Sequence, residues 1–388
     1  MDADSYNILI IGGGVIGMSV ALNAAEMGFG PIAVLERDHV GSGSSGLSAS
    51  IVSRQFSTVA DIQLRAYGYA RFDELERLEQ LPFTRNGYIE LGGLDTDEAV
   101  FEQALELQRQ LSVGDTSILN REELGRAVPH LRTSDIRFGF CDPTAGFTDG
   151  YLVSTALAGR ARERGVRIVQ NATVRGSKTD GGLVLLETDA GTFSATTVVN
   201  AAGPWAQRVG DILGAPVKLI PQRHEICLVS LDSDLPYHMP FVLEPEWRND
   251  PFRLYVRHEG PKLLLVGLHT DQLDALPVED PDTYIRTPDE EYVERVGERL
   301  LARFPRLPNP AFVRGWAGLY PLSVDGYPVV GRHPSNPQIF LAIGAGSSGI
   351  QMAPTIGRLA AETLRYGQPL EPSLASIVNP TRPGSGVG

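Results

Sequence analysis

Apolar residues near the start of the chain follow a strand–turn–helix–strand rhythm. Residues 7–11 form a short apolar run, 12–17 hold four glycines, and 15–27 carry small and apolar side chains suited to a buried helix closed by Gly28. Residues 32–36 are a second continuous apolar run, as a parallel strand buried on both faces requires. The spacing predicts a βαβ unit, followed by a polar loop, GSGSSGLSA, over 41–49.

Farther along, residues 60–110 read as helical, with Phe72, Leu75 and Leu78 three apart. A further helix is predicted over 151–165, closed by Gly165, then short strands at 166–170, 183–187 and 197–200. Residues 217–230 and 252–268 alternate like antiparallel sheet. Thr287-Pro288-Asp289-Glu290 reads as a capping box with Pro at the first helical position, opening a helix to about residue 304. The last third predicts a strand at 339–343, a glycine turn at 344–349, a helix over 351–366 and a frayed end over 380–388. No internal repeat or low-complexity run interrupts this order.

A length of 388 residues suggests two domains, and 42% hydrophobic against 21% charged residues gives enough apolar side chains for a large core. The net charge of −13 repels nucleic acid and anionic membranes, so neither is expected as a partner. It also repels an anionic substrate unless Arg reverses the field locally. The only two cysteines, Cys141 and Cys227, are far apart and read as free buried thiols, with neither a disulfide framework nor zinc spacing. Asp2 and Asp4 are the wrong charge for a secretory leader, and four glycines, Ser19 and Asn23 interrupt the apolar stretch 8–25 that would otherwise read as a membrane span. The expectation is a cytoplasmic protein without a membrane span or a metal.

Gly12-x-Gly14-x-x-Gly17 matches the dinucleotide fingerprint. The first glycine makes the turn, the second lets backbone approach a pyrophosphate, and the third packs helix on strand. Val15 and Ile16 open a helix whose free N–H groups suit phosphate. Glu36, with Arg37 beside it, ends the next strand, where a carboxylate accepts hydrogen bonds from ribose hydroxyls. A second glycine turn, 344–349, again lies between a strand and a helix. Two helix N-termini could serve the two ends of a long cofactor, the second facing a ring where negative charge develops on reduction. The bland alternative for that second turn is close packing.

Six stretches then occur in a telling order: IIGGGVIG with LERD, the GSGSSG loop, CDPTAGFTDGYLV, VVNAAGPWA, GWAGLYPLSVDGYPVVG, and IFLAIGAGSSGIQMAPTIGRLAAETL. With these the chain resembles the D-amino-acid oxidase superfamily, and within it the sarcosine-oxidase-like branch, over nearly its whole length. The resemblance implies an α/β (α+β) fold. Its Rossmann-like FAD-binding domain is discontinuous, from about 1–60, 145–215 and 320–370. A substrate domain with a mostly antiparallel sheet comes from 61–144 and 216–319, and 371–388 is a C-terminal tail. It implies that Gly12, Gly14 and Gly17 hold the pyrophosphate, Glu36 the adenosine ribose, and Ser44 and Ser45 the pyrophosphate or flavin. Val174 meets the adenine; Ala202, Gly203 and Trp205 line the cofactor channel; Gly346, Ser348, Gly349, Ile350 and Gln351 approach the flavin. The implied FAD is non-covalent: Gly318 stands where some relatives attach flavin through Cys, and 41–50 contains no His.

The implied reaction is oxidation of the C–N bond of a small amino acid or N-methyl amino acid. A hydride passes to flavin N5, the imine hydrolyses, and hydrogen peroxide forms if oxygen is the acceptor. An amino-acid carboxylate calls for an Arg. Arg54 is the first candidate, although the family's Ile-Ile-Arg appears here as Ile51-Val52-Ser53 with Arg54 one place on. His269 follows as a pocket His, with His224 and His258 weaker; Tyr255 and Tyr320 are candidate pocket walls, and Gln351 replaces a basic residue. Leu265 stands where sarcosine oxidases carry a Lys over the flavin, so Lys262 or another cation would have to substitute, or an electron-accepting partner would replace oxygen. Other readings are an FAD-dependent 2-hydroxy-acid dehydrogenase with His269 as base, a non-catalytic flavin-binding subunit, and a nicotinamide dehydrogenase. Monomer and homo-oligomer both stay open.

Overall fold

Ile8 and Ile10 pack into one apolar cluster while Leu9 and Ile11 pack into another, so the first strand, Asp4–Ile11, is buried on both faces. It is central in an eight-stranded sheet. In order the strands are Val329–His333, Asn336–Ile343, Gly191–Asn200, Asp4–Ile11, Ile32–Leu35 and Arg167–Val169, and the hairpin Val174–Asp180 with Leu183–Thr188 hangs from Gly191–Asn200. From Asn336–Ile343 to Arg167–Val169 the neighbours are parallel. The computed structural model describes residues 4–79, 81–111, 113–247, 249–273 and 275–387.

Helices Val15–Glu26 and Gly349–Tyr366 lie together on one face of this sheet. They approach so closely at Gly357 that a Cβ there would stand 2.3 Å from Ser19 Oγ. Both glycine turns therefore open at the same end of the sheet, beyond the carboxyl ends of its parallel strands.

The second eight-stranded sheet runs Ala311–Ser323, Leu219–Ser230, Leu263–His269, Arg253–Gly260, Phe241–Leu243, Tyr88–Gly93, Ile136–Asp142 and Ser117–Asn120. All its pairings are antiparallel except Phe241–Leu243 with Tyr88–Gly93. Leu254, Val256, Ile89 and Leu91 face one cluster, closed by Val296 and Leu300 of helix Glu290–Arg303. Tyr255, Phe241, Leu243 and Leu265 face the other side, against Ala49, Ile51 and Tyr88. Period-two alternation thus sends Arg253 and Glu90 to the same side as Tyr255 and Tyr88. A two-stranded ribbon, Ile51–Val52 with Gly146–Phe147, completes the strands.

Three sequence expectations need correction. Residues 60–110 are two helices, Val59–Glu79 and Glu98–Gln110, separated by the strand Tyr88–Gly93, where alternation wins over the helical reading; residue 80 lies outside the described residues. Phe72 and Leu75 are buried as expected, but Leu78 is 45% exposed near the end of its helix. The capping box at Thr287 does not form. The helix starts at Glu290, its N-cap Asp289 makes no side-chain cap bond, and the segment is held by tertiary contacts instead: Asp289 N–H donates to Glu225 and Arg223 donates to the Thr287 carbonyl. The end of the chain is packed rather than frayed. Pro372–Val378 is a helix, Arg382 donates to both oxygens of Asp325, and Lys218 N–H donates to Gly386 O at 2.8 Å. Residue 388 lies outside the described residues.

Candidate active site

Two cavities open between the sheets. The first, about 420 Å³, runs from the Gly12–Gly14 turn past Glu36 and Val174 to Tyr320 and Gly346. Gly12 adopts φ +112°, and a Cβ there would meet Ala201 O at 2.4 Å, so only glycine fits. Gly17 does not line the cavity; a Cβ on it would stand 2.0 Å from Gly12 O, which makes it the packing glycine. Gly14, Val15 and Ile16 line the wall, with Gly14 as N-cap of the helix and Val15 N–H donating to Ser45 Oγ at 3.0 Å. Glu36 receives Gly13 N–H at 2.5 Å and Asp38 N–H at 2.8 Å, and a carboxylate has about four acceptor positions, so further donors can be met.

Val174 begins its strand at this wall, and Ala202, Gly203 and Trp205 close the far side. Ser44 lines it too, its hydroxyl donating to Leu319 O at 2.6 Å. Arg37 lies 4.3 Å over the Trp205 ring and donates to Asp282, which also receives Trp205 Nε1 at 2.7 Å and Arg208. Arg208 and Asp282 had no signal in the sequence, since they meet only through tertiary structure. His224 is buried here, stacked 3.9 Å from Tyr320, and desolvation with the nearby His269 holds it down to about 3.

The second cavity is about 500 Å³. It shares Ser48, Ala49, Tyr320, Ala345, Gly346, Ser347 and Ile350 with the first, so these residues form the junction. One wall is aromatic: Tyr88, Phe241 and Tyr255 stack at 4.6 and 5.7 Å between successive ring centres. Tyr255 is buried, with its phenol raised well above the ordinary value by desolvation, and its hydroxyl lies close against Gly267. Another wall is charged. Arg253 donates to Glu90 at 2.5 Å and lies 3.6 Å from Asp271, which also meets His269 Nε2 at 3.0 Å. The bond from His269 and the Arg253 charge hold the Asp271 carboxyl down to about 2. Arg65 lines the cavity with its partner Asp61, and donates to Ser348 Oγ at 3.1 Å.

The sequence candidates fall unevenly on this geometry. His269, Tyr255, Tyr320, Ser348 and Gln351 line the second cavity, and Gly346, Gly349 and Ile350 line the first. Gln351, however, spends its amide on Ser53, donating to its carbonyl at 2.6 Å and receiving its N–H at 3.3 Å. Arg54 lines neither cavity; its guanidinium stacks 3.6 Å over Tyr69. His258 also lines neither and accepts Met239 N–H. Leu265 is buried in the apolar cluster, and Lys262 does not bend in: its Nζ donates to Asp232 O at 3.0 Å on the surface. The cation nearest Leu265 in register is Arg257, buried over Phe147 and donating to Ala49 O behind the cavity wall. Arg65, Asp61, Glu90, Arg253 and Asp271 were all missed, because strand register and helix docking, not local motifs, bring them together. Cys141 and Cys227 are free, and burial pushes their thiols up to about 11 and about 12. Among the described residues no group of three His, Cys, Asp or Glu could hold a metal, and no helix is long and apolar enough to cross a membrane.

The first cavity fits a dinucleotide on its own geometry: a glycine cradle that a Cβ would fill, a helix N-terminus, and a carboxylate at the end of the second strand. Comparison with known proteins agrees. Residues 7–363 match the family model described as FAD dependent oxidoreductase. Glycine oxidase of Geobacillus kaustophilus (strain HTA426) is 27% identical over 371 residues, 92% of each chain. Mitochondrial sarcosine dehydrogenase of Mus musculus is 25% identical over 94% of this chain, but the chain spans only 40% of that relative's length. The crystal structure of L-proline dehydrogenase from P. horikoshii shares the fold, with a TM-score of 0.85 at 24% identity and 97% of each chain covered.

Proposed function

The chain belongs to the FAD-dependent oxidoreductase family, and on that premise we propose that it oxidises the C–N bond of an amino acid or N-methyl amino acid, with FAD held non-covalently. The observation that carries this reading is the junction of the two cavities at Tyr320, Ala345, Gly346 and Ile350, one cavity built for a dinucleotide and the other walled by aromatic rings and two arginines. The relatives named for glycine and sarcosine support the same substrate class. When bound, FAD supplies the acceptor for a hydride from the carbon next to nitrogen. The chain's own contribution is positioning and exclusion of water. Gly12, Gly14 and the N-terminus of Val15–Glu26 would hold the pyrophosphate and Glu36 the ribose. Tyr88, Phe241 and Tyr255 give an apolar wall against which an amine loses its water. The imine product hydrolyses to a carbonyl compound and an amine, with hydrogen peroxide if oxygen is the acceptor.

Gly318 supports the non-covalent reading, because a Cβ there already stands 3.2 Å from Leu47 Cβ and the residue offers no nucleophile. All yellow colour should leave with the supernatant after acid precipitation; colour in the pellet would refute it. The His269–Asp271 hydrogen bond favours a second reading, a 2-hydroxy-acid dehydrogenase in which His269 takes the alcohol proton. One experiment separates the two: anaerobic titration with sarcosine, proline, glycine and both enantiomers of alanine and lactate, following the flavin bands. Bleaching by an amino acid supports C–N oxidation, and admitting air then reports on oxygen as acceptor. Bleaching by lactate alone supports the second reading, and bleaching by nothing sinks both.

A further inference from the structure

Two arginines wall the second cavity, and their hydrogen bonding differs. Arg253 is committed on every side: Nε donates to Glu244 O at 2.8 Å, Nη2 to Glu90 at 2.5 Å, and Nη1 lies 3.6 Å from Asp271. Arg65 is only half committed. Its Nη1 donates to Asp61 Oδ1 at 2.5 Å, its Nη2 meets the neutral Ser348 hydroxyl at 3.1 Å, and its buried Nε has no partner among the described residues. Nε and Nη2 form the edge of a guanidinium that grips a carboxylate side-on with two parallel bonds. Elsewhere in this molecule Arg175 holds Asp189, and Arg382 holds Asp325, with that same pair of atoms. On Arg65 this edge meets only Ser348, in the second glycine turn.

The setting favours an anion there. Arg65 is 8% exposed, its guanidinium stacks 3.7 Å over Phe56, and desolvation lowers its pKa even with Asp61 beside it. A buried cation with an unpaired Nε gains from a second counter-ion. Gln55, 5% exposed and in the same cavity lining, has an Oε1 with no donor, so the segment that offers a carboxylate its donors also offers an N–H its acceptor.

We propose that Arg65, through Nε and Nη2, anchors the substrate's carboxylate and thereby makes the site one for amino acids rather than simple amines. This assignment rests on the amine-oxidising reading for its substrate, but its test does not need turnover. FAD-loaded protein is titrated with propionate, and the shift of the flavin bands gives Kd. A saturable shift is expected for the wild type. Arg65→Gln, at unchanged flavin content, should raise Kd at least tenfold. Asp61→Asn removes the internal counter-ion and should lower Kd. The amino acid that bleaches the flavin should show a raised KM in Arg65→Gln, while propylamine binding is unaltered. No saturable shift in the wild type, or an unchanged Kd in a flavin-replete Arg65→Gln, overturns the proposal. If Arg65→Gln does not fold, an unchanged or raised Kd in Asp61→Asn overturns it. Failure of every amine to bleach the flavin would sink the proposed function and leave the propionate result readable.

Discussion

The first cavity takes its glycine wall from one run of chain, 12–16, while the second takes its charged wall from Asp61 and Arg65 on a helix, Glu90 and Arg253 on two strands, and Asp271 beyond a third. The first is set by backbone: positive φ at Gly12 and contacts that leave no room for a Cβ at Gly12 or Gly17. The second is set by side chains that meet only when the antiparallel sheet is in register. A binding site made of backbone tolerates little change and is marked by glycine. A site made of side chains can be rebuilt residue by residue without disturbing the scaffold, which suits a family that varies its substrates on one fold.

The sharpest break should come from the first cavity. Gly12→Val places a branched side chain at φ +112° against Ala201 O and should abolish FAD retention; the ratio of 450 nm to 280 nm absorbance of the purified protein would fall to that of a colourless protein. The next effect belongs to the second. Arg253→Met strands Glu90 in a largely buried position and should cost about 3 kcal/mol in a urea titration, with FAD content unchanged. Adding Glu90→Leu should recover part of that loss.

A smaller effect is a slope. His224 is held neutral, with its pKa down at about 3, whereas the unfolded chain protonates it near 6.5. The unfolded state therefore binds the extra proton between those values. The stabilising contribution is complete above about 6.5 and is lost progressively as pH falls toward 3. His224→Gln should flatten that part of the stability profile, and an unaltered profile would show that His224 does not carry it. The smallest effect should come from Arg54. Arg54, the first carboxylate candidate in the sequence, stacks on Tyr69 and lines neither cavity, so Arg54→Ala should change KM for a carboxylate substrate less than twofold.

Legibility follows the same divide. The glycine turns, the parallel core and the antiparallel sheet were readable because each leaves a local mark: glycine spacing, continuous apolar runs, alternation. Arg54 misled because extended chain alternates faces. Ile51, Ser53 and Gln55 line the second cavity and Val52 and Arg54 point away, so a shift of one residue moves an Arg from the pocket to the opposite side. Arg65 sat unnoticed in a helical stretch, where its i, i+4 pairing with Asp61 looks like any surface ion pair until the helix docks against Ser348. Tertiary contact likewise decided the start of helix Glu290–Arg303, where Glu225 and Arg223 replaced a local cap.

The most direct test of the account is stopped-flow reduction of the FAD-loaded protein, without oxygen, by the amine that bleaches it fastest, with hydrogen or deuterium on the carbon next to nitrogen. Oxidation of the C–N bond predicts single-phase bleaching that is several-fold slower with deuterium, because that C–H bond breaks as the flavin is reduced. Equal rates for the two isotopologues, or bleaching by a 2-hydroxy acid and by no amine, would contradict it.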